Sequence, residues 1–407
     1  MIDSQCQQSV QLMIKELNSS CSSFGGYCIL PDCISKDKLN FHLDYVWWMD
    51  GVVPLVISVI AILFNLTTII VVLGSELAAN FFNWLLVFLA IFDNLFLLNR
   101  ILESFRNHFV STELHDYVFV YFLYYFQMVT MCCSDYMKLL LAFERYNTLA
   151  TPLEVHRVRL HNPGHNVTLC EYFSFHKTRL IKYTLPVIVF VSIFYIPKTM
   201  ELQLVHSGVQ GYEIQGSDLR TNDCYISWYL NFANILVTVV VPLATLVYLN
   251  INIALKLKRH VDTRSQSRVG STISGEETQI TAVPSEDTRR ERNMVQQTMM
   301  LFAIVILFLI CHTPRTILNI EEGATMDNVK MAKECGCHWL QYWTLNVIPV
   351  SHILLQINSG TNLFIYCFFS SWFRKALKHK FRGVLNLFRA TCIWGVRQPT
   401  YNTQEIT

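Results

Sequence analysis

The chain has 407 residues, is 52% hydrophobic and only 15% charged, whereas a soluble domain carries about 25% charged residues. That deficit, with a positive mean hydropathy, excludes an ordinary soluble domain and makes lipid the expected solvent. The net charge of +2 says little by itself; no nucleic-acid partner is expected, and the cysteines lack any CxxC pair, so no zinc site is expected.

The first 40 residues are polar and contain no apolar segment of signal-peptide type. The first apolar run is therefore expected to serve as both targeting signal and anchor. Residues 1–50 are read as an external tail, in which Asn18-Ser19-Ser20 is a glycosylation acceptor. Seven apolar stretches follow, over about Gly51–Leu73, Phe81–Leu98, Tyr117–Phe143, Ile181–Pro197, Ser227–Leu255, Met299–Leu318 and Trp339–Phe369. A membrane-spanning helix needs roughly 20 apolar residues. The fourth stretch is the shortest, and its lower end has to include Lys182. The fold class expected is an all-α membrane protein, a bundle of seven transmembrane helices over residues 51–370.

The polar segment between the fifth and sixth stretches, about 258–293, reads as a disordered loop. After the seventh, Phe373, Leu377, Phe381 and Leu385 recur every four residues among Arg374, Lys375, Lys378, Lys380 and Arg382. That pattern predicts a short amphipathic helix on an inner leaflet, opening a tail of residues 371–407. Cys392 in that tail is a candidate for palmitoylation. An odd number of spans puts the termini on opposite sides. With the C-terminus inside, 21 Lys and Arg fall on the inner side and 9 on the outer, so the N-terminus is expected outside. Seven cysteines then face outward, Cys224 among them, and Cys224 is expected to seek a disulfide partner there.

The third stretch puts Gln127, Met131, Ser134, Lys138, Leu141 and Arg145 on one helical face, spaced four and three apart. Lys138 and Arg145 are expensive in lipid, so that face is expected to turn into the bundle. Asp135, three residues before Lys138, is placed to pair with it. A role for Lys138 in switching is the sharper alternative to a purely structural pair.

Four motifs then appear in order: Leu89-Ala90-Ile91-Phe92-Asp93, Glu144-Arg145-Tyr146, Cys311-His312-Thr313-Pro314, and Asn358-Ser359 followed by Asn362 to Tyr366. Together, over roughly residues 50 to 385, they resemble the rhodopsin-like class of G-protein-coupled receptors. Phe143 to Tyr146, Thr151-Pro152-Leu153, Ile196-Pro197, Ile357 to Ser359 and Phe364 to Tyr366 are similar to invertebrate FMRFamide-type neuropeptide receptors.

The resemblance implies roles. Glu144, Arg145, Tyr146, His312, Pro314, Asn362 and Tyr366 would form the switch and the G-protein contact. Glu144 would hold Arg145 in the resting state. Asp93, Ser134, Asn358, Ser359 and Asn362 match the class's pocket for an allosteric sodium ion; a water-filled polar knot is the plainer reading. No other cofactor is implied. Gln127 stands where amine receptors hold an aspartate, which disfavours monoamines. An RFamide-like peptide carries an arginine, which prefers carboxylates, so Glu103, Glu201, Glu321 and Glu322 become candidate contacts, with Tyr124, Gln127, His312 and Arg315.

The chain departs from the class pattern where Val120 replaces the usual cysteine, His312 a tryptophan, Leu363 a proline and Asn250 a tyrosine. With Val120 there, the usual disulfide to Cys224 cannot form.

The expected function is a plasma-membrane, multi-pass receptor, not an enzyme. It would bind an extracellular neuropeptide, activate a heterotrimeric G protein, and work with arrestin, a receptor kinase and membrane lipid. The alternatives are a receptor of the same fold for a small molecule or odorant, and a seven-span transporter or channel. Paired repeats would mark a transporter, and none is visible.

Overall fold

The computed structural model describes residues 28–29, 44–74, 81–109, 112–150, 169–207, 211–273, 286–325, 338–339 and 342–382. Seven long helices form the bundle. Helix α1 (Asp44–Leu73) opens with a π-helical turn, Trp47–Val52. Helix α2 is Phe81–His108. Helix α3 runs from Glu113 through a π-helical turn, Phe119–Leu123, to Ala150. Helix α4 (Leu169–Phe194) ends in a 3-10 turn, Ile196–Met200. Strands β2 (Leu202–Ser207) and β3 (Gly211–Gly216) make an antiparallel hairpin, while β1 (Cys28–Ile29) pairs with β4 (His338–Trp339). Helix α5 begins as π-helical turns, Tyr225–Ala233 and Leu236–Val240, and continues as Val241–Ile273. Helix α6 is Glu286–Ala324. Helix α7 is Tyr342–Gly360, broken at Thr361 and resumed over Asn362–Phe369. Helix α8 covers residues 371–382.

Six spans, Asp44–Leu73, Phe81–His108, Glu113–Thr148, Thr178–Met200, Tyr225–Lys256 and Thr298–Ala324, are long and apolar enough to cross a membrane. The seventh, α7, carries His352, Gln356, Asn358 and Ser359 and closes the ring. It packs on both α6 and α1, while α3 sits centrally against α2, α4 and α5. Outward side chains such as Val56, Ile60, Leu63, Ile70 and Ile193 are exposed and apolar, as a lipid-facing surface requires. The polar residues turn inward: Asp93, Ser134, Lys138, Ser351, Gln356 and Asn358 are buried. Gly360 marks a tight α7–α1 crossing, since a Cβ there would stand 2.5 Å from that of Ala61.

Two sequence expectations are corrected. The fourth span is not short: its membrane-competent segment is Thr178–Met200, with Lys182 exposed at one end. The segment 258–293 is not a wholly disordered loop, because α5 runs on to Ile273 and α6 already starts at Glu286. Extending an existing helix adds a hydrogen bond per residue without a new nucleus, so polar composition alone did not end it.

The usual disulfide position at the top of α3 holds a hydrophobic joint instead. Phe119, Val120 and Leu123 are buried and pack with Tyr124 against Leu202, Leu204 and Ile214 of the hairpin. Val120 is fully buried. The bundle therefore has a hairpin end and, opposite it, an Arg145 end.

Candidate functional site

At the hairpin end a cavity opens between α3, α5, α6 and the 3-10 turn after α4. Its wall includes Tyr124, Lys198, Arg220, Asn231, His312 and Arg315. Glu201, 1% exposed, organises one side. It accepts hydrogen bonds from Tyr124 (2.8 Å) and Tyr225 (2.7 Å) and an ion pair from Lys198 at 2.7 Å. Glu322 pairs with Arg220 at 2.8 Å. Burial alone would disfavour the Arg220 cation, but the Glu322 carboxylate outweighs it and holds the guanidinium above its ordinary range. Arg315, half-buried in the wall, has no ion pair among the described residues.

Of the sequence's ligand candidates, Tyr124, His312, Arg315 and Glu322 line this cavity, and Glu201 stands directly behind Tyr124. Glu103, Gln127 and Glu321 are not part of its wall. Glu103 is bonded to Arg100, in a separate cluster where Asp50 also meets Arg100 (3.4 Å) and His352 (3.2 Å). Gln127 is 7% exposed, buried on α3. Sequence reading missed Lys198 and Arg220. Lys198 carried a signal, standing three residues from Glu201 and directly after Pro197.

Below the cavity floor lies a polar chain. His312 stacks on Phe308 with ring centroids 4.0 Å apart. Its Nε2 stands 3.5 Å from Asp135 Oδ2 and 3.4 Å from Asn358 Nδ2. Asp135 Oδ1 takes the Lys138 ammonium at 2.9 Å, so the predicted pair is formed. Deeper still, the Ser134 hydroxyl donates to Asp93 Oδ1 at 2.6 Å and Asn362 Nδ2 donates to Asp93 Oδ2 at 2.8 Å. The five residues read as an ion pocket are all buried in this region, although Asn358 faces His312 rather than Asp93.

Pro314 stands inside the continuous α6, two residues past His312. It lacks the N–H that would bond the carbonyl four residues back. The Thr313 hydroxyl donates to the Leu309 carbonyl at 2.6 Å and the Thr316 hydroxyl to that of His312 at 2.8 Å, so side chains bond carbonyls of the helix around the proline.

At the opposite end Arg145 lies over the Phe82 ring, 3.4 Å from its centroid, and its buried Nε has no hydrogen-bond partner among the described residues. Here the expectation for Glu144 is corrected. Glu144 pairs with Arg179 of α4 at 2.9 Å, not with Arg145. Adjacent residues on a helix point about 100° apart, and α4 brings a guanidinium to the Glu144 side. Tyr146 carries Lys256 over its ring at 3.7 Å. Tyr366 is buried with its hydroxyl unpartnered and its ring 5.7 Å from that of Phe373. The Asn250 side-chain oxygen is likewise buried and unpartnered. Helix α8 is tied to α6 by the Ser371 hydroxyl, which donates to Gln296 at 3.2 Å.

Cys224 is exposed at the start of α5 and is unpaired among the described residues. The other cysteines expected on the outer side have no described side chain, and Asn18 and Cys392 lie outside the described residues.

Comparison with known proteins accounts for this layout. The "FMRFamide receptor" of Drosophila melanogaster is 23% identical over 344 residues, which is 81% of this chain and 53% of that protein. The chain thus spans about half the length of that relative. The family model described as "7 transmembrane receptor (rhodopsin family)" matches residues 64–366, from α1 to Tyr366. A cavity at one end, a buried polar chain beneath it and an arginine at the other end belong, with that match, to a receptor and not an enzyme: the chain is a member of the rhodopsin family of seven-transmembrane receptors.

Proposed function

We propose that this receptor sits in the plasma membrane with its hairpin end outside, binds a neuropeptide there, and activates a heterotrimeric G protein at the Arg145 end. The observation that carries the reading is the polar route from the cavity wall through His312, Asp135 and Lys138 towards Asp93. Ligand entry beside His312 would shift a two-state bundle and free Arg145 from Phe82 to meet the G protein. The excess of Lys and Arg in the segments on the Arg145 side supports the orientation.

The likeness to an FMRFamide receptor supports a peptide ligand. So does the pocket chemistry. The Arg220–Glu322 pair has side chains 37% and 42% exposed, and such pairs are weak. A ligand guanidinium can therefore replace Arg220 on Glu322. Arg315, with no ion pair among the described residues, is placed to take a peptide carbonyl. Arrestin, a receptor kinase, glycosylation at Asn18 and palmitoylation at Cys392 complete the proposed picture.

The test is a calcium or cyclic-nucleotide readout in cells expressing the receptor, challenged with peptides ending in Arg-Phe-amide and with other amidated neuropeptides. A saturable, receptor-dependent response is expected. Silence to every amidated peptide at micromolar levels, with a response to a small molecule, would replace the peptide reading. Ion or solute flux without G protein would replace the receptor mechanism.

A further inference from the structure

We propose that Lys138 is a tethered cation standing in for the diffusible sodium ion that the Asp93 pocket would otherwise take. The proposal concerns the pocket alone and does not depend on the peptide reading.

A sodium ion needs free oxygen lone pairs arranged around it. Both oxygens of Asp93 are already bonded by donors, Ser134 on one and Asn362 on the other. Asn362 turns its amide N–H towards the carboxylate, the opposite of what a cation requires. Asn358, expected as a further ligand, is engaged with His312. While Lys138 supplies the charge, these donors stay turned on Asp93 and His312, and the residues as placed do not fit a sodium ion.

The positive charge is supplied from within. Ser134 and Lys138 are four residues apart on α3, on the same face and roughly 5–6 Å from each other at Cβ. Lys138 is 1% exposed, and Asp93 is fully buried. Ser134 bonds Asp93 at 2.6 Å, so the Asp93 carboxylate stands against the face of α3 that carries Lys138. The ammonium bonds Asp135 directly at 2.9 Å, so one cation serves two buried carboxylates. A second cation beside it would be repelled across a low-dielectric interior. An ammonium on a side chain cannot diffuse away, and its position follows α3 and not the salt concentration.

The test uses the purified full-length receptor without ligand. Its thermal unfolding is followed in sodium chloride and in choline chloride of equal ionic strength. The wild-type midpoint is expected to be the same in both salts, and Lys138→Arg is expected to behave alike. The double variant Asp135→Asn with Lys138→Met removes the ion pair as a unit and leaves no uncompensated carboxylate at Asp135. It is expected to gain a midpoint increase of a few degrees in sodium over choline, as ligand binding to a folded state produces. Adding Asp93→Asn is expected to abolish that gain. A wild-type midpoint that rises in sodium overturns the proposal whether or not the variants fold. So does a folded double variant that ignores sodium.

Discussion

At the hairpin end, the buried Glu201 carboxylate holds the buried Lys198 ammonium at 2.7 Å. At the Arg145 end the nearest acid, Glu144, is held by Arg179, and Arg145 rests on an aromatic face with an unpartnered Nε. A paired charge fixes geometry and is costly to break when buried. A guanidinium over a ring is held by about 0.5–2 kcal/mol and is ready for a new partner. One end is thus built to hold a shape and the other to exchange a contact.

The sharpest way to break the comparison is Glu201→Gln. It strands the buried Lys198 ammonium and takes the acceptor from Tyr124 and Tyr225. Loss of one partner of a buried pair costs about 3–5 kcal/mol, so a large fall in the thermal midpoint is expected, with weakened ligand binding. An unchanged midpoint would show that Glu201 organises nothing. Next is Arg145→Gln. Agonist-stimulated nucleotide exchange should fall more than about tenfold, or ~1.4 kcal/mol, while ligand affinity and thermal stability stay near wild type. A parallel loss of stability would mean that Arg145 is structural.

Val120→Ala probes the joint between α3 and the hairpin. It removes buried methyl groups at a fully buried position, at a cost of roughly 1–2 kcal/mol, read as a lower midpoint. The smallest stability effect is expected for Arg220→Ala. Its pair with Glu322 is partly exposed, so less than about 1 kcal/mol should be lost. A stability loss as large as that of Glu201→Gln would erase the distinction between the buried and exposed pairs.

Much of this was legible in the chain itself. Uncharged runs located the helices, because lipid tolerates no unpaired backbone. The i, i+3 spacing located the Asp135–Lys138 pair, and helical phase placed Ser134 on the bundle side of α3, where it reaches Asp93. What escaped depended on elements meeting in space. Glu144 found Arg179 because α4 crosses beside α3, which local spacing cannot express. Glu103 looked like a pocket acid but sits beside Arg100, three residues earlier, on a different face. The cavity cations that escaped, Lys198 and Arg220, come from the segments flanking the hairpin, where periodicity carries no information about direction.

The Val120 joint has a mechanical consequence. A covalent tie between helix and hairpin would be indifferent to temperature and sensitive to thiols. An apolar joint reverses both: reductant leaves it intact, while cooling weakens it, since hydrophobic association fades in the cold. The hairpin beside the cavity, anchored on Phe119, Val120 and Leu123, therefore behaves as a latch with a thermal release, and the cavity it borders should open more readily at low temperature.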